Sequence, residues 1–292
     1  MSSVRPAWQG RPGPGLRLAK VVALAVVVLL VLFPVWTVVA TSLAEPGDVV
    51  ANGGWVVWPH GITFGAYAEI LDGGIVTRAL AISAGVTVVG TALSLTCTVG
   101  LAYALSRPGV YAGRPLLLLI LFTFLFPPGM IPLFLVVRST GLFDQYAALV
   151  LPFVVNAFNL VVMRGFFQSI PRDLIEAARI DGAGDLAVLW RVVLPLSKAV
   201  LAVVGLFYAV AYWNRFFEAI IYFNDQSKWP IGTVLRQYVT GGADLTGEAA
   251  LVSAPQSTQM AVVVLALTPI VCVYPFLQRY FAKGVLTGAL KA

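Results

Sequence analysis

Six long apolar stretches separated by polar segments leave this 292-residue chain few ways to fold. A helix needs about 20 mostly apolar residues to cross a bilayer. Stretches of that kind fall near residues 19–41, 79–105, 115–138, 144–165, 197–223 and 259–281. The mean hydropathy is +0.90, and charged residues make up 11% of the chain, against about 25% in soluble proteins. Composition therefore excludes a pair of ordinary soluble domains. Within lipid, backbone polar groups must bond internally, which helices achieve. The expected fold class is all-α: a polytopic membrane protein with six transmembrane helices over 19–283, between a cytoplasmic tail 1–18 and a second tail 284–292.

The net charge of +6 has a topological reading. Arg5, Arg11, Arg17 and Lys20 precede the first span, and Arg107 and Arg114 flank the second connection. Arg164, Arg172, Arg179, Arg191 and Lys198 belong to the fourth, while Arg279, Lys283 and Lys291 end the chain. If the spans alternate, these segments share one side, and the other carries Glu45, Asp48, Glu69, Asp72, Asp144, Asp225, Asp244 and Glu248. The positive-inside rule then places both termini on the cytoplasmic side of a multi-pass membrane protein. Basic charge here reports orientation; nucleic acid is not an expected partner, whereas membrane lipid is. Val21–Ala40 exceeds the 7–15 residues of a signal peptide's apolar core, so the first span is expected to be retained.

Inside the spans, Ser83, Thr87, Thr91, Ser94 and Thr98 recur at helical steps. Such a stripe suits close helix packing more than a pathway. Pro127, Pro128 and Pro132 around Gly129 predict a kink or break in the third span, facing protein rather than lipid. Cys97 and Cys272 read as small packing residues, and His60 as a solvated loop histidine. The connection 224–258, polar and without a long apolar block, is a candidate contact for an external partner.

The fourth connection, 166–196, is the distinctive cytoplasmic element. Pro171 suits a first helical position, with Ser169 or Ile170 as cap. Asp173 and Glu176 lie toward the positive helix end, Arg179 toward the other, and Gly182 terminates the helix. About three turns are too short for stability alone, so a partner surface is required. A second helix begins near 185 and is expected to break at Pro195.

This segment resembles the EAA loop of permease subunits of ATP-binding-cassette (ABC) importers. The matches are Glu176, Ala177, Ala178, Gly182, Leu194 and Pro195, with Val192 where the family has Ile. Ala102–Arg107, Tyr212-Trp213-Asn214, Phe216-Phe217 and the tail Gly284–Lys291 are similar, more narrowly, to the maltose-type carbohydrate permeases and their branch importing oligosaccharides from complex polysaccharides. The resemblance implies the type I importer fold and a cytoplasmic coupling helix, Pro171–Gly182. It also implies partners: a second homologous permease, two ABC ATPase subunits, and an extracellular or periplasmic sugar-binding protein. Glu176 would meet a basic residue of the ATPase, while Ala177, Ala178, Asp181, Gly182, Leu194 and Pro195 complete the coupling element. Transport would proceed by alternating access.

No Gly-x-x-x-x-Gly-Lys-Ser/Thr loop occurs, so this chain is expected to bind no cofactor and to catalyse nothing. ATP and Mg would be hydrolysed by the partner ATPases. Polar groups at membrane depth are candidate path residues: Asn156 and Asn159 in the fourth span, and Tyr212, Asn214, Arg215 and Glu218 in the fifth. Arg215 and Glu218, three apart, either pair with each other or leave Arg215 to meet an acidic sugar. The alternatives are an ABC permease for a non-sugar solute, a secondary transporter and a membrane-embedded enzyme, whose loosely spaced candidate acids would be Asp173, Glu176, Asp181 and Asp185.

Overall fold

A computed structural model describes residues 14–72, 74–240 and 255–289, with side chains up to residue 275. The described residues form helices and connections, with one isolated antiparallel bridge between Ala44 and Ile62. In chain order the helices are α1 (Pro14–Ser42), α2 (Pro46–Ala51), α3 (Gly65–Asp72), α4 (Ile75–Ser106), α5 (Gly113–Leu125), α6 (Met130–Ser139) and α7 (Ala157–Gln168). They continue with α8 (Arg172–Ile180), α9 (Asp185–Val188), α10 (Leu194–Leu196), α11 (Lys198–Trp213), α12 (Phe216–Tyr222), α13 (Ile231–Val239) and α14 (Gln256–Ala289).

Three helical segments are long and apolar enough to cross a membrane: Pro14–Ser42, Ile75–Ser106 and Gln256–Pro275. Three bent pairs also qualify if each is one span, so the described residues offer up to six. Helix α1 begins at Pro14, inside the expected 1–18 tail, and α14 runs through 284–289, while 1–13 and 290–292 lie outside the described residues.

The chain divides into two units, Met1–Glu69 with Ala254–Val264 and Ile70–Ser253 with Leu265–Ala292. In the first, the most apolar window of α1 buries nothing against the chain. The connection after it is structured: Ala44, Val49 and Val56 form a small core, and Thr41 is buried with its hydroxyl joined to the backbone of Val56. Ser42 and Tyr67 share a 2.7 Å hydrogen bond. His60 is largely exposed but has a neighbour that the sequence hid, Asp48, whose carboxylate lies 3.6 Å from its Nδ1.

In the second unit, α4 packs along α11 and α7. The small-residue stripe of α4 serves packing, as its spacing suggested. Ser94 bonds Tyr212 and Thr98 bonds Tyr208, each at 2.7 Å, and Ser83 accepts the Ile231 N–H at 2.8 Å. Gly90 lets the Tyr212 ring rest on the α4 backbone; a Cβ there would sit 2.9 Å from ring carbons. Small residues and interhelical hydrogen bonds of about 0.6 kcal/mol each hold helices together where lipid removes the hydrophobic drive.

Three expected spans depart from a simple rod. The third breaks as its prolines require: α5 and α6 meet at 116° about Gly129, whose φ is +83°. Within this chain α5 buries none of its residues, whereas α6 buries Val137. The fourth begins as two 3-10 turns, Tyr146–Leu149 and Leu151–Phe153, bent 49° from α7. The fifth does not run unbroken over 197–223: α11 stops at Trp213, and Asn214 and Arg215 intervene before α12. Ahead of it, the chain turns by 85° at Ser197 and not at Pro195, which lies inside α10. A π turn, Leu189–Val193, precedes that proline and widens the helix where its ring would meet a carbonyl of the preceding turn.

Candidate functional site

The fourth connection folds into the short helix its residues anticipated, one position shorter at its start and ended by Gly182 as expected. Pro171 is the cap itself, with extended ψ, rather than the first helical residue. Asp173 occupies the first turn and Arg179 the last, matching the helix dipole. The end is a Schellman closure. Gly182 turns left-handed at φ +82°, its N–H bonds the Arg179 carbonyl at 3.0 Å, and the Ala183 N–H bonds that of Ala178 at 2.9 Å. Among the described residues nothing beyond its chain neighbours lies within 4 Å of a Cβ placed on Gly182.

The outer face of α8 has no cover. None of its residues is buried, Leu174 is 46% exposed and Ile180 86%. Glu176, Ala177 and Asp181 are exposed, and Ala178 is partly so. Leu186 and Trp190 continue this apolar surface at 73% and 69% exposure. Beyond them Leu194 is partly buried and Pro195 exposed. The sequence-derived coupling residues therefore lie on one connection, 171–195, its polar and small side chains outward.

The sequence named Asp185 only as a loosely spaced acid, not the ion-pair cluster that the structure builds around it. Asp185 receives a hydrogen bond from Arg179 Nη2 at 2.8 Å, which holds its carboxyl below the usual range and Arg179 above its own. Arg107 approaches the same oxygen at 3.7 Å. The Arg179–Asp185 pair is six apart across a helix end, and Arg107 stands 78 residues away, so no helical spacing announces the cluster.

The intramembrane candidates separate into two groups. Asn156, Asn159 and Arg215 line one cleft of about 340 Å³, with Phe153, Phe158 and Tyr208 among its other walls. Tyr212, Asn214 and Glu218 do not line it. The Asn156–Asn159 spacing is a helix cap rather than two residues on one helical face: Asn156 Oδ1 accepts the Asn159 N–H at 3.1 Å and starts α7. Tyr212 joins α11 to α4, and Asn214 Nδ2 bonds the Val210 carbonyl at 2.8 Å, closing α11.

Arg215 does pair with Glu218, Nη1 to Oε1 at 3.2 Å, the two side chains 13% and 30% exposed. Its guanidinium carbon lies 3.4 Å from the centroid of Phe153 and 5.1 Å from that of Tyr212. The Glu218 bond occupies one of five guanidinium donors, so the ion pair fixes Arg215 beside an amide- and aromatic-lined cleft without exhausting it.

Several known proteins are similar to this chain. The polygalacturonan/rhamnogalacturonan transport system permease protein YtcP of Bacillus subtilis strain 168 is 43% identical over 268 residues, covering 90% of this chain and 93% of that protein. Protein LplC of the same organism is 41% identical over the whole of both chains. A crystal structure of a bacterial ABC transporter involved in the import of the acidic polysaccharide alginate matches with a TM-score of 0.85 at 33% identity, over 94% of this chain and 100% of that one. The model of the binding-protein-dependent transport system inner membrane component family matches residues 97–287. With its helical architecture, the α8 connection and these matches agreeing along its length, the chain belongs to the family of binding-protein-dependent transport system inner membrane components.

Proposed function

We propose that this chain is a permease subunit of an ATP-driven, binding-protein-dependent ABC importer for carbohydrate, in particular oligosaccharides bearing carboxylates. It forms half of a translocation path with a second homologous permease. Two ATPase subunits, which bind and hydrolyse ATP with Mg, dock on α8, and a sugar-binding protein delivers substrate from outside. Both termini and the 166–196 loop face the cytoplasm of a bacterial membrane. The chain itself carries no catalytic step.

The observation that carries the reading is α8: a capped, dipole-matched helix with exposed Leu174, Ile180 and Glu176 and no buried residue. So short a helix is marginal alone and gains a reason for its form when a receiving surface covers it. Ala177 allows close approach, and Glu176 supplies charge for a cationic partner group. ATP binding draws the ATPases together and α8 moves with them, switching the permease pair between inward-open and outward-open states. Each ligand shifts the balance only through its differential affinity for those states.

The substrate class rests on the relatives that handle polygalacturonan and alginate and on Arg215 beside its cleft. The test is uptake by the reconstituted complex, comparing trigalacturonate with neutral maltotriose. Arg215→Ala is expected to lower acidic-sugar uptake about ten-fold, equivalent to about 1.4 kcal/mol, while sparing any neutral uptake. Equal loss for both sugars would assign Arg215 and Glu218 to structure alone.

A further inference from the structure

Three helices meet at one exposed carboxylate in the second unit. Asp185 opens α9. Its side chain accepts from Arg179 of α8 at 2.8 Å and lies 3.7 Å from Arg107, at the end of α4. Its backbone carbonyl accepts from the Tyr103 hydroxyl of α4 at 2.9 Å. The Arg107 guanidinium covers the Tyr103 ring at 4.3 Å and bonds its hydroxyl. This end of α4 is tied in turn to α7, where Arg164 Nε donates to the Leu105 carbonyl at 2.9 Å.

Elsewhere α8 is loosely held. It buries no residue, and a cleft of about 360 Å³ between it and the ends of α4 and α7 is lined by Tyr103, Arg107, Phe167, Ile175, Glu176 and Arg179. Its covalent link to α9 contains Gly182 and Gly184, residues that add backbone freedom. A push on α8 has little packing to travel through, and the loop alone would absorb it.

We propose that Asp185 is a positioning residue that pins α8 to the cytoplasmic end of α4, so that a displacement imposed on α8 carries α4 with it. The proposal rests on the importer reading above. Asp185 is 69% exposed and Arg179 53%, and exposed ion pairs add little to stability; what this one supplies is geometry. It joins α8 to α9 across the glycine-containing loop and so bypasses it. Through the α4–α11 hydroxyl contacts, motion of α4 reaches the helix that precedes Arg215.

The test measures whether α8 and α4 move as one. The complete complex is reconstituted in nanodiscs, with Cys97→Ala and Cys272→Ala and spin labels at Asp173→Cys on α8 and Thr96→Cys on α4. Distances are compared between the nucleotide-free and vanadate-trapped states, alongside ATP hydrolysis. The unmodified pin and Asp185→Glu should keep one distance in both states. Asp185→Asn should still assemble and hydrolyse ATP, yet show a shifted and broadened distance on trapping. Should that variant fail to assemble, Arg179→Gln gives the same readout, and both substitutions leave the Tyr103 bond to the backbone carbonyl of residue 185 in place. An unchanged distance in the variant that assembles overturns the pin, as does a wild-type distance that itself shifts. Absence of ATPase binding by the wild type would instead sink the importer reading, which separates the two failures.

Discussion

Glu176 and Arg215 illustrate how differently single charged residues are employed here. Glu176 stands exposed on α8, bordering a cleft with Arg107 and Arg179 nearby. Its assignment as the group that meets the ATPase predicts that Glu176→Lys leaves the protein inserted but lowers ATP-driven uptake by at least about ten-fold, since a like charge at an interface costs several kcal/mol. Transport assays in reconstituted vesicles check this, and normal uptake would remove Glu176 from the docking role. Arg215 is instead enclosed by Glu218, Phe153 and Tyr212. Its pairing could be read from a three-residue spacing. Its place over Phe153 could not, because those residues are 62 apart in sequence and meet only where the 3-10 turns before α7 approach the end of α11.

Among the elements, α8 was legible almost to the residue, because proline, acidic residues, a base and glycine each act locally on a helix end. Gly182 in particular carries a prediction. Its φ of +82° is left-handed, which costs an L side chain roughly 1–2 kcal/mol, and the space around it is open among the described residues. Gly182→Leu should therefore leave the membrane helices intact while weakening ATPase association, as measured by co-purification under matched expression. Unchanged recovery would show that no partner approaches this face closely. The proline break between α5 and α6 was legible for the same local reason. Longer spans were less so: hydropathy marked the fourth and fifth, but not that Asn156 begins α7 as a cap, nor that α11 ends at Trp213. An apolar window is blind to breaks within it, since a 3-10 turn and an α-helix need the same side chains. The hub at Asp185 was illegible, being built from three helices brought together only by packing.

For the whole molecule, the exposed apolar surface is the main fact. The window of α1 that qualifies as a span buries nothing within the chain, and α5 likewise buries none of its residues; lipid and a second permease are the surroundings that suit such helices. The distribution of arginines and lysines, concentrated on alternate connections, orients the proposed assembly with α8 toward the ATPases. In that arrangement energy enters at α8, passes the Asp185 hub, and reaches the path through the hydroxyl-laced contact of α4 with α11.

The proposed role in a multi-subunit importer requires that partner subunits accompany this chain in the membrane. It is tested most directly by gentle purification from native membranes, with mass spectrometry of what accompanies it. Recovery of an ABC ATPase and a second permease of the same family is expected, with the ATPase lost and the second permease retained when α8 is altered by Glu176→Lys and Gly182→Leu in combination. Reproducible recovery of the chain alone, in lipid and active by itself, would contradict it.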